Sequence, residues 1–247
     1  MKTAIVIPAQ LDSKRFPSKP FAIIDGKFMI DMVLDNCVRV DDVSVYVATP
    51  DSEIFDHVNR FWANRGVKPV TTSPDNTTGN EAVAEAALKI PEEIVVNVQG
   101  DEPLLGSELI EYAINMFEKI SKDYRILNCY TNVTEEDDFG SPNCIHTVVN
   151  KFNELLYMSR SVIPYSKDNL HDSPLKQVCI YVFKRGALIH LFRKCKKGYL
   201  ENTEDICMLR ALENGYKVYM LPVKTDSHAV DVPEDIAIVE SKIRGYA

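Results

Sequence analysis

Within eight residues, Ser13-Lys14-Arg15-Phe16-Pro17-Ser18-Lys19-Pro20, the chain places three cations and two hydroxyls. They follow a short apolar run, Thr3-Ala4-Ile5-Val6-Ile7. A loop of this kind after a buried strand offers backbone N–H groups, hydroxyls and cations, the donor set that phosphates take. It is not a Walker A loop, and no G-x-G-x-x-G occurs in the chain. A solvated, proline-rich surface loop would have the same composition, and charge alone does not separate the two.

Two carboxylates could complement such a loop. Asp101, in Val98-Gln99-Gly100-Asp101-Glu102-Pro103, follows the apolar run 94–98. A carboxylate just past a central strand suits Mg²⁺, which takes one or two carboxylates plus phosphate oxygens. It equally suits the cap of a helix starting near Leu104. Asp231, in Val230-Asp231-Val232-Pro233, is more simply an N-cap before a proline-started helix. As a pair on separate strand ends, the two could clamp one metal. Arg160, in Ser159-Arg160-Ser161-Val162-Ile163-Pro164, suits bidentate binding of a substrate carboxylate. A surface ion pair is the commoner fate of an arginine. His57, His171 and His190 have no partner pattern, while His146 and His228 fall nearer these segments. No nucleophile triad can be read from spacing, because triads are recognised by geometry.

The elements that must position these residues alternate. Apolar runs at 3–7, 43–48, 67–70 and 94–98 read as strands, the central ones buried on both faces. Helical spacing covers 29–39, a helix to about Asn64 that Asp51 could cap, and 80–90. Asp25-Gly26 reads as a tight turn. Loops 8–20, 71–80 and 99–103 then leave the carboxyl ends of the strands, where open parallel sheets bind ligands. The segments 125–133, 144–150, 154–158 and 176–183 look like strands of a mixed sheet, with 151–154 a hairpin turn. We read 125–183 as an inserted, smaller mixed-sheet lobe. The end returns to a helix 203–214, a strand 217–222 and a last helix from about Pro233. The fold class is α/β: a Rossmann-like, mainly parallel sheet flanked by helices.

Composition narrows the function classes. The chain has 247 residues, 45% hydrophobic and 26% charged, with a net charge of −8, which suits a soluble globular protein of one large domain or two small ones, long enough to bury a real core. The negative balance argues against a global nucleic-acid footprint. The aromatics lack the basic interleaving of single-strand binders. No apolar run approaches a membrane span, and the apolar start is too short for a signal peptide. Six scattered cysteines without a C-x-x-C pair fit reduced thiols, so a cytoplasmic setting is expected.

Taken together, the segments IPAQLDSKRFPSKP (7–20), IDGKFMI (24–30), VYVATPDSE (45–53), TTSPDNTTGNEAVAEA (71–86), IVVNVQGDEPLL (94–105), LLYMSRSVIPY (155–165), ICMLRALENGYKV (206–218) and VDVPEDI (230–236) resemble one family in order and spacing. That family is 3-deoxy-manno-octulosonate cytidylyltransferase, or CMP-Kdo synthetase. The resemblance implies a nucleotide-diphospho-sugar-transferase fold and a homodimer formed through the inserted lobe. It implies transfer of CMP from CTP to the anomeric hydroxyl of a 3-deoxy-2-keto acid sugar, with Mg²⁺ as cofactor and pyrophosphate released, in bacterial surface polysaccharide biosynthesis. By position, Ser13, Arg15 and Lys19 would hold the triphosphate. Pro8, Ala9, Gln10 and the 71–80 loop with Ser73, Thr78 and Gly79 would face the nucleotide. Asp101 and Asp231 would bind Mg²⁺, while Gln99, Arg160 and Tyr181 would face the sugar acid.

The chain departs from the family pattern at several of these places. Gln10 and Ala82 stand where the family has arginines. Gln177 and Cys179 precede Tyr181 where the family reads H-x-G-x-Y, Cys207-Met208 replaces Glu-Gln, and His146 replaces a lysine. The lost cations should weaken triphosphate binding, with His228 or Lys14 as candidate substitutes. The changes at Gln177, Cys207 and Met208 fall on the sugar side and imply an acidic acceptor other than ordinary Kdo. Two further readings stay open: a nucleotidyltransferase with another acceptor or nucleotide, and a nucleotide-binding paralogue without catalysis.

Overall fold

A computed structural model describes residues 1–13, 15–133, 140–141, 143–167 and 174–245. Its centre is β1 (Thr3–Pro8), flanked in parallel by β4 (Val43–Thr49) and β6 (Ile94–Val98). β5 (Val67–Thr71) extends the sheet beyond β4, also in parallel. On the other side β6 meets β10 (Leu175–Lys184) antiparallel; then come β7 (Ile126–Asn132) and β11 (Val218–Pro222). Among the described residues the sheet has nine strands in the path β11-β7-β10-β6-β1-β4-β5, with β8 (His146–Val149) and β9 (Leu155–Ser159) off it.

Burial explains why β1 reads as an unbroken apolar run. Successive side chains of a strand point to opposite faces. Ile5 and Ile7 join the core formed with α1 (Met29–Cys37), α2 (Ser52–Phe61) and α4 (Ser107–Ile120). Ala4 and Val6 join the opposite core, formed with α3 (Gly79–Ala86) and α5 (Arg185–Ile189). Both faces are therefore covered, as a parallel sheet requires. A small hairpin, β2 (Ile23–Ile24) with β3 (Lys27–Phe28), turns at Asp25-Gly26. Both turn residues are left-handed, with φ 47° and 79°, the demand that a type I′ turn meets with Asp-Gly.

Four local expectations are corrected. The expected helix 203–214 is two, α6 (Tyr199–Glu204) and α7 (Leu209–Glu213), separated by a left-handed Asp205 with φ 52°. At the break the Arg160 guanidinium donates to the carbonyls of Glu204 at 2.7 Å and Asp205 at 3.0 Å. Asp51 does not cap α2 with its side chain; its carboxylate instead accepts the Leu11 N–H at 2.8 Å. Asp101 caps nothing, since α4 starts at Ser107 behind Gly106. The last helix, α8 (Asp235–Gly245), is preceded by a turn that Asp235 closes, accepting the N–H groups of Asp231 at 2.7 Å and Val232 at 2.9 Å. Of the middle strands, β7 and β10 run in the central sheet, and the β8–β9 hairpin is the part that leaves it. No helix among the described residues is long and apolar enough to cross a membrane.

Candidate active site

The loops after β1, β4, β5 and β6 close around a crevice of about 370 Å³ at the carboxyl ends of these parallel strands. Pro8, Ala9, Gln10, Ser13 and Lys19 line it from the first loop, and Thr72, Ser73, Asn76, Thr78 and Gly79 from the third. Gln99, Gly100 and Asp101 supply the wall after β6. Space for a side chain is missing at one of these positions and tight at another. A Cβ on Gly100 would lie 2.8 Å from the Pro8 carbonyl oxygen. One on Gly79 would lie 3.0 Å from Gln99 Oε1 and 3.1 Å from Pro8 Cγ. The two strand ends meet so closely that only a bare backbone fits.

Charge is concentrated on one side of the crevice. Lys19 Nζ lies 2.5 Å from Asp101 Oδ2 and 3.9 Å from Asp231 Oδ1, so one ammonium faces both carboxylates. Arg15 Nη2 lies 2.7 Å from Asp231 Oδ1, and its Nη1 donates to Asn143 Oδ1 at 3.0 Å. Burial pushes the Asp231 carboxyl up, and Asp101 adds to this against Lys19 and Arg15. A divalent cation would relieve that repulsion, and the donor set fits Mg²⁺: two convergent carboxylates, with room for phosphate oxygens in the adjoining crevice. Among the described residues there is no group of three or more His, Cys, Asp or Glu side chains arranged to hold a metal. A cation here would therefore take its remaining ligands from phosphate and water.

Glu102 was not singled out by sequence reasoning, although it adjoins Asp101 in the same turn. Its carboxyl is buried, accepts the Ser227 hydroxyl at 2.5 Å, and is pushed up by burial to about 7. The hydroxyl lowers it, Asp101 and Asp231 raise it, and Lys176 lowers it again. Its signal in the sequence was a second acid in a turn after a central strand, which also matches an exposed turn residue.

Three further side chains, Cys179, Tyr181 and Cys207, stand at positions expected on the acceptor side. Tyr181 is buried, and burial and then Cys179 and Cys207 push its phenol well up. Cys179 is pushed up by burial and then by Glu102, Asp101 and Asp231. Cys207 is pushed up by burial and by Glu201, while Asn80 and Thr78 at the start of α3 oppose this. None of the three lines the crevice: Tyr181 lies in the core that also holds Val83 of α3, and Cys179 and Cys207 pack against that core.

Other expected site residues are placed differently. Arg160 does not line the crevice; it holds the α6–α7 turn. Gln177 donates to Asn128 Oδ1 at 2.7 Å, and Asn128 donates to the carbonyls of Val178 and Ile180, across the bulge in the β7–β10 register. That bulge keeps the Gln177 amide on the sheet. Met208 is 1% exposed and belongs to the core, because the break at Asp205 turns it inward. His228 pairs with Asp235 at 3.4 Å rather than lining the crevice, so it does not replace the missing arginines. His146 is buried in β8, and Lys14 and His171 lie outside the described residues.

The chain is similar to known proteins over nearly its whole length. A family model described as cytidylyltransferase matches residues 4–224. An 8-amino-3,8-dideoxy-manno-octulosonate cytidylyltransferase of Shewanella sediminis is 37% identical over 98% of this chain and 99% of its own. A 3-deoxy-manno-octulosonate cytidylyltransferase of Pelobacter propionicus is 35% identical over 99% of this chain and 98% of its own. A solved CMP:2-keto-3-deoxy-manno-octonic acid synthetase complexed with CTP superposes with a TM-score of 0.90 at 28% identity, covering 100% of both chains.

Proposed function

The chain belongs to the cytidylyltransferase family, and on that premise we propose that it transfers CMP from CTP to the anomeric hydroxyl of Kdo or a modified, Kdo-like 3-deoxy-2-keto acid. One observation carries this reading. The Lys19 ammonium lies within 4 Å of the carboxylates of both Asp101 and Asp231, beside a crevice walled by the loops after β1, β5 and β6.

In the proposed reaction the anomeric oxygen bonds to the α-phosphorus of CTP while the bond to the β-phosphate oxygen breaks. CMP-sugar, pyrophosphate and one proton result. Ser13, Lys19 and Arg15 hold the triphosphate and oppose its developing charge. A Mg²⁺ held by Asp101 and Asp231 would neutralise phosphate charge and help pyrophosphate depart. The Ala9 backbone with Ser73 and Thr78 faces cytosine and ribose. Gln99, Cys179, Tyr181 and Cys207 face the acceptor. With thiols at positions 179 and 207, that surface is suited to an acceptor whose polar groups differ from those of ordinary Kdo.

The same reading includes a role in bacterial surface polysaccharide biosynthesis, a cytoplasmic setting and a homodimer. The exposed apolar side chains Phe152, Leu156 and Tyr165 on the β8–β9 side support that dimer. The nucleotide is tested by competition. With acceptor and Mg²⁺ present, pyrophosphate release should be fastest with CTP among CTP, UTP, ATP and GTP. A preference for UTP, ATP or GTP contradicts the cytidylyl assignment.

A further inference from the structure

The loop 72–78 is fastened from behind by two carboxylates on one face of α3. Residues four apart on a helix share a face. Glu81 accepts the Thr77 N–H at 2.8 Å and its hydroxyl at 2.9 Å, while Thr78 Oγ1 accepts the Glu81 N–H at 3.2 Å. This is a capping-box exchange shifted by one residue. Glu85, one turn further on, accepts the Ser73 N–H at 3.0 and 3.2 Å and the Asn76 side-chain amide at 2.8 Å. Asn76 completes the fastening. Its amide nitrogen also reaches the Ser73 carbonyl at 2.9 Å, and its oxygen accepts from Arg193 at 3.0 Å. Ser73 and Asn76 line the crevice, whereas Glu85 does not.

We propose that Glu85 is a positioning residue for the nucleotide. It acts through Ser73 and Asn76 by holding their loop in its binding geometry before the ligand arrives. The proposal rests on the crevice being the nucleotide site. A loop ordered in advance leaves less conformational freedom to be lost on binding, and this shows as affinity rather than as rate. The two hydrogen bonds are made to an ionised acceptor, the stronger kind. Arg193 alone cannot replace them, because it reaches only Asn76.

The test compares wild type, Glu85→Ala and Glu85→Gln, with melting temperatures to show that each is folded. In Glu85→Ala, the amides of 73–77 should exchange hydrogen faster without ligand, and CTP should bind about tenfold or more weakly. The kcat at saturating CTP and the acceptor KM should stay near wild type. Glu85→Gln keeps an acceptor oxygen for the Ser73 N–H and should restore most of the loss. Unchanged CTP affinity in Glu85→Ala overturns the proposal, as does a loss shared equally by the acceptor KM. A wild type that binds no CTP contradicts the functional reading instead. The exchange rate at Ser73, measured without ligand, still decides whether Glu85 holds the loop.

Discussion

Gly100 turns the chain so close to β1 that its missing side chain is part of the crevice. With a Cβ 2.8 Å from the Pro8 carbonyl oxygen, Gly100→Ala must displace backbone that carries Ala9 and Gln10. We expect a loss of about 1–3 kcal/mol in stability, as for other overpacked sites, and a raised CTP KM, read by denaturant unfolding and steady-state kinetics. Asp101 and Asp231 make a different prediction. Asp101→Asn and Asp231→Asn keep the shape and remove one charge each, so the protein should stay folded while kcat falls by about a hundredfold or more. Retained activity in both variants contradicts the metal assignment. Glu81 and Glu85 predict an acid response. Burial opposes their ionised forms but is outweighed, at Glu81 by Arg210 and Thr77 and at Glu85 by Asn76 and the Ser73 N–H, so both carboxyls are held below the ordinary 4.5. A depressed carboxyl stabilises fully above its unfolded value and loses that contribution as pH falls toward the folded one. Protection of the 72–78 amides, measured against their intrinsic exchange rates at each pH, should therefore fall below about pH 4.5, ahead of global unfolding.

At the scale of elements, a buried arginine ties α7 and α6 to α3. Arg210 of α7 is 1% exposed and holds Glu201 of α6 through two hydrogen bonds, at 2.5 and 2.7 Å. It also reaches Glu81 of α3 at 2.9 Å and lies over the Phe192 ring at 4.8 Å. Arg210→Met would leave Glu201 buried without its partner, a change that costs about 3–5 kcal/mol. A large fall in melting temperature should follow, and a near-neutral result would show that the cluster does not bind these helices together. The sequence made the parallel half legible because β1, β4 and β6 are buried by local apolar runs whose loops necessarily lie at their carboxyl ends. The crevice residues Ala9, Ser13, Lys19 and Asp101 were readable for the same reason. The α6–α7 break was not, since the Arg160 contact at it comes from some 45 residues away and no local residue announces it. The same contact sets Arg160 against the α6–α7 turn, and Met208 lies in the core. The Gln177–Asn128 contact was not legible because it lies beside a β-bulge, which shifts register without a sequence mark. Glu102 went unnoticed because its burial depends on Ser227, beyond β11.

Over the whole molecule, a chain of net charge −8 pairs its crevice-side cations Lys19 and Arg15 with the carboxylates of Asp101 and Asp231, so this cluster is charge-balanced by itself. The apolar Phe152, Leu156 and Tyr165, exposed on the β8–β9 side, are where a second copy is expected to sit. Sedimentation should give twice the 27.9 kDa chain mass, and Leu156→Asp should halve it. The central claim is tested most directly by pyrophosphate release from CTP and Mg²⁺, with Kdo, its 8-amino-8-deoxy form and sialic acid compared side by side. The account predicts turnover of a Kdo-type acid, with the 8-amino form preferred where Cys179 and Cys207 select a modified acceptor. No pyrophosphate from either Kdo-type acid, in folded protein that binds CTP, would contradict it.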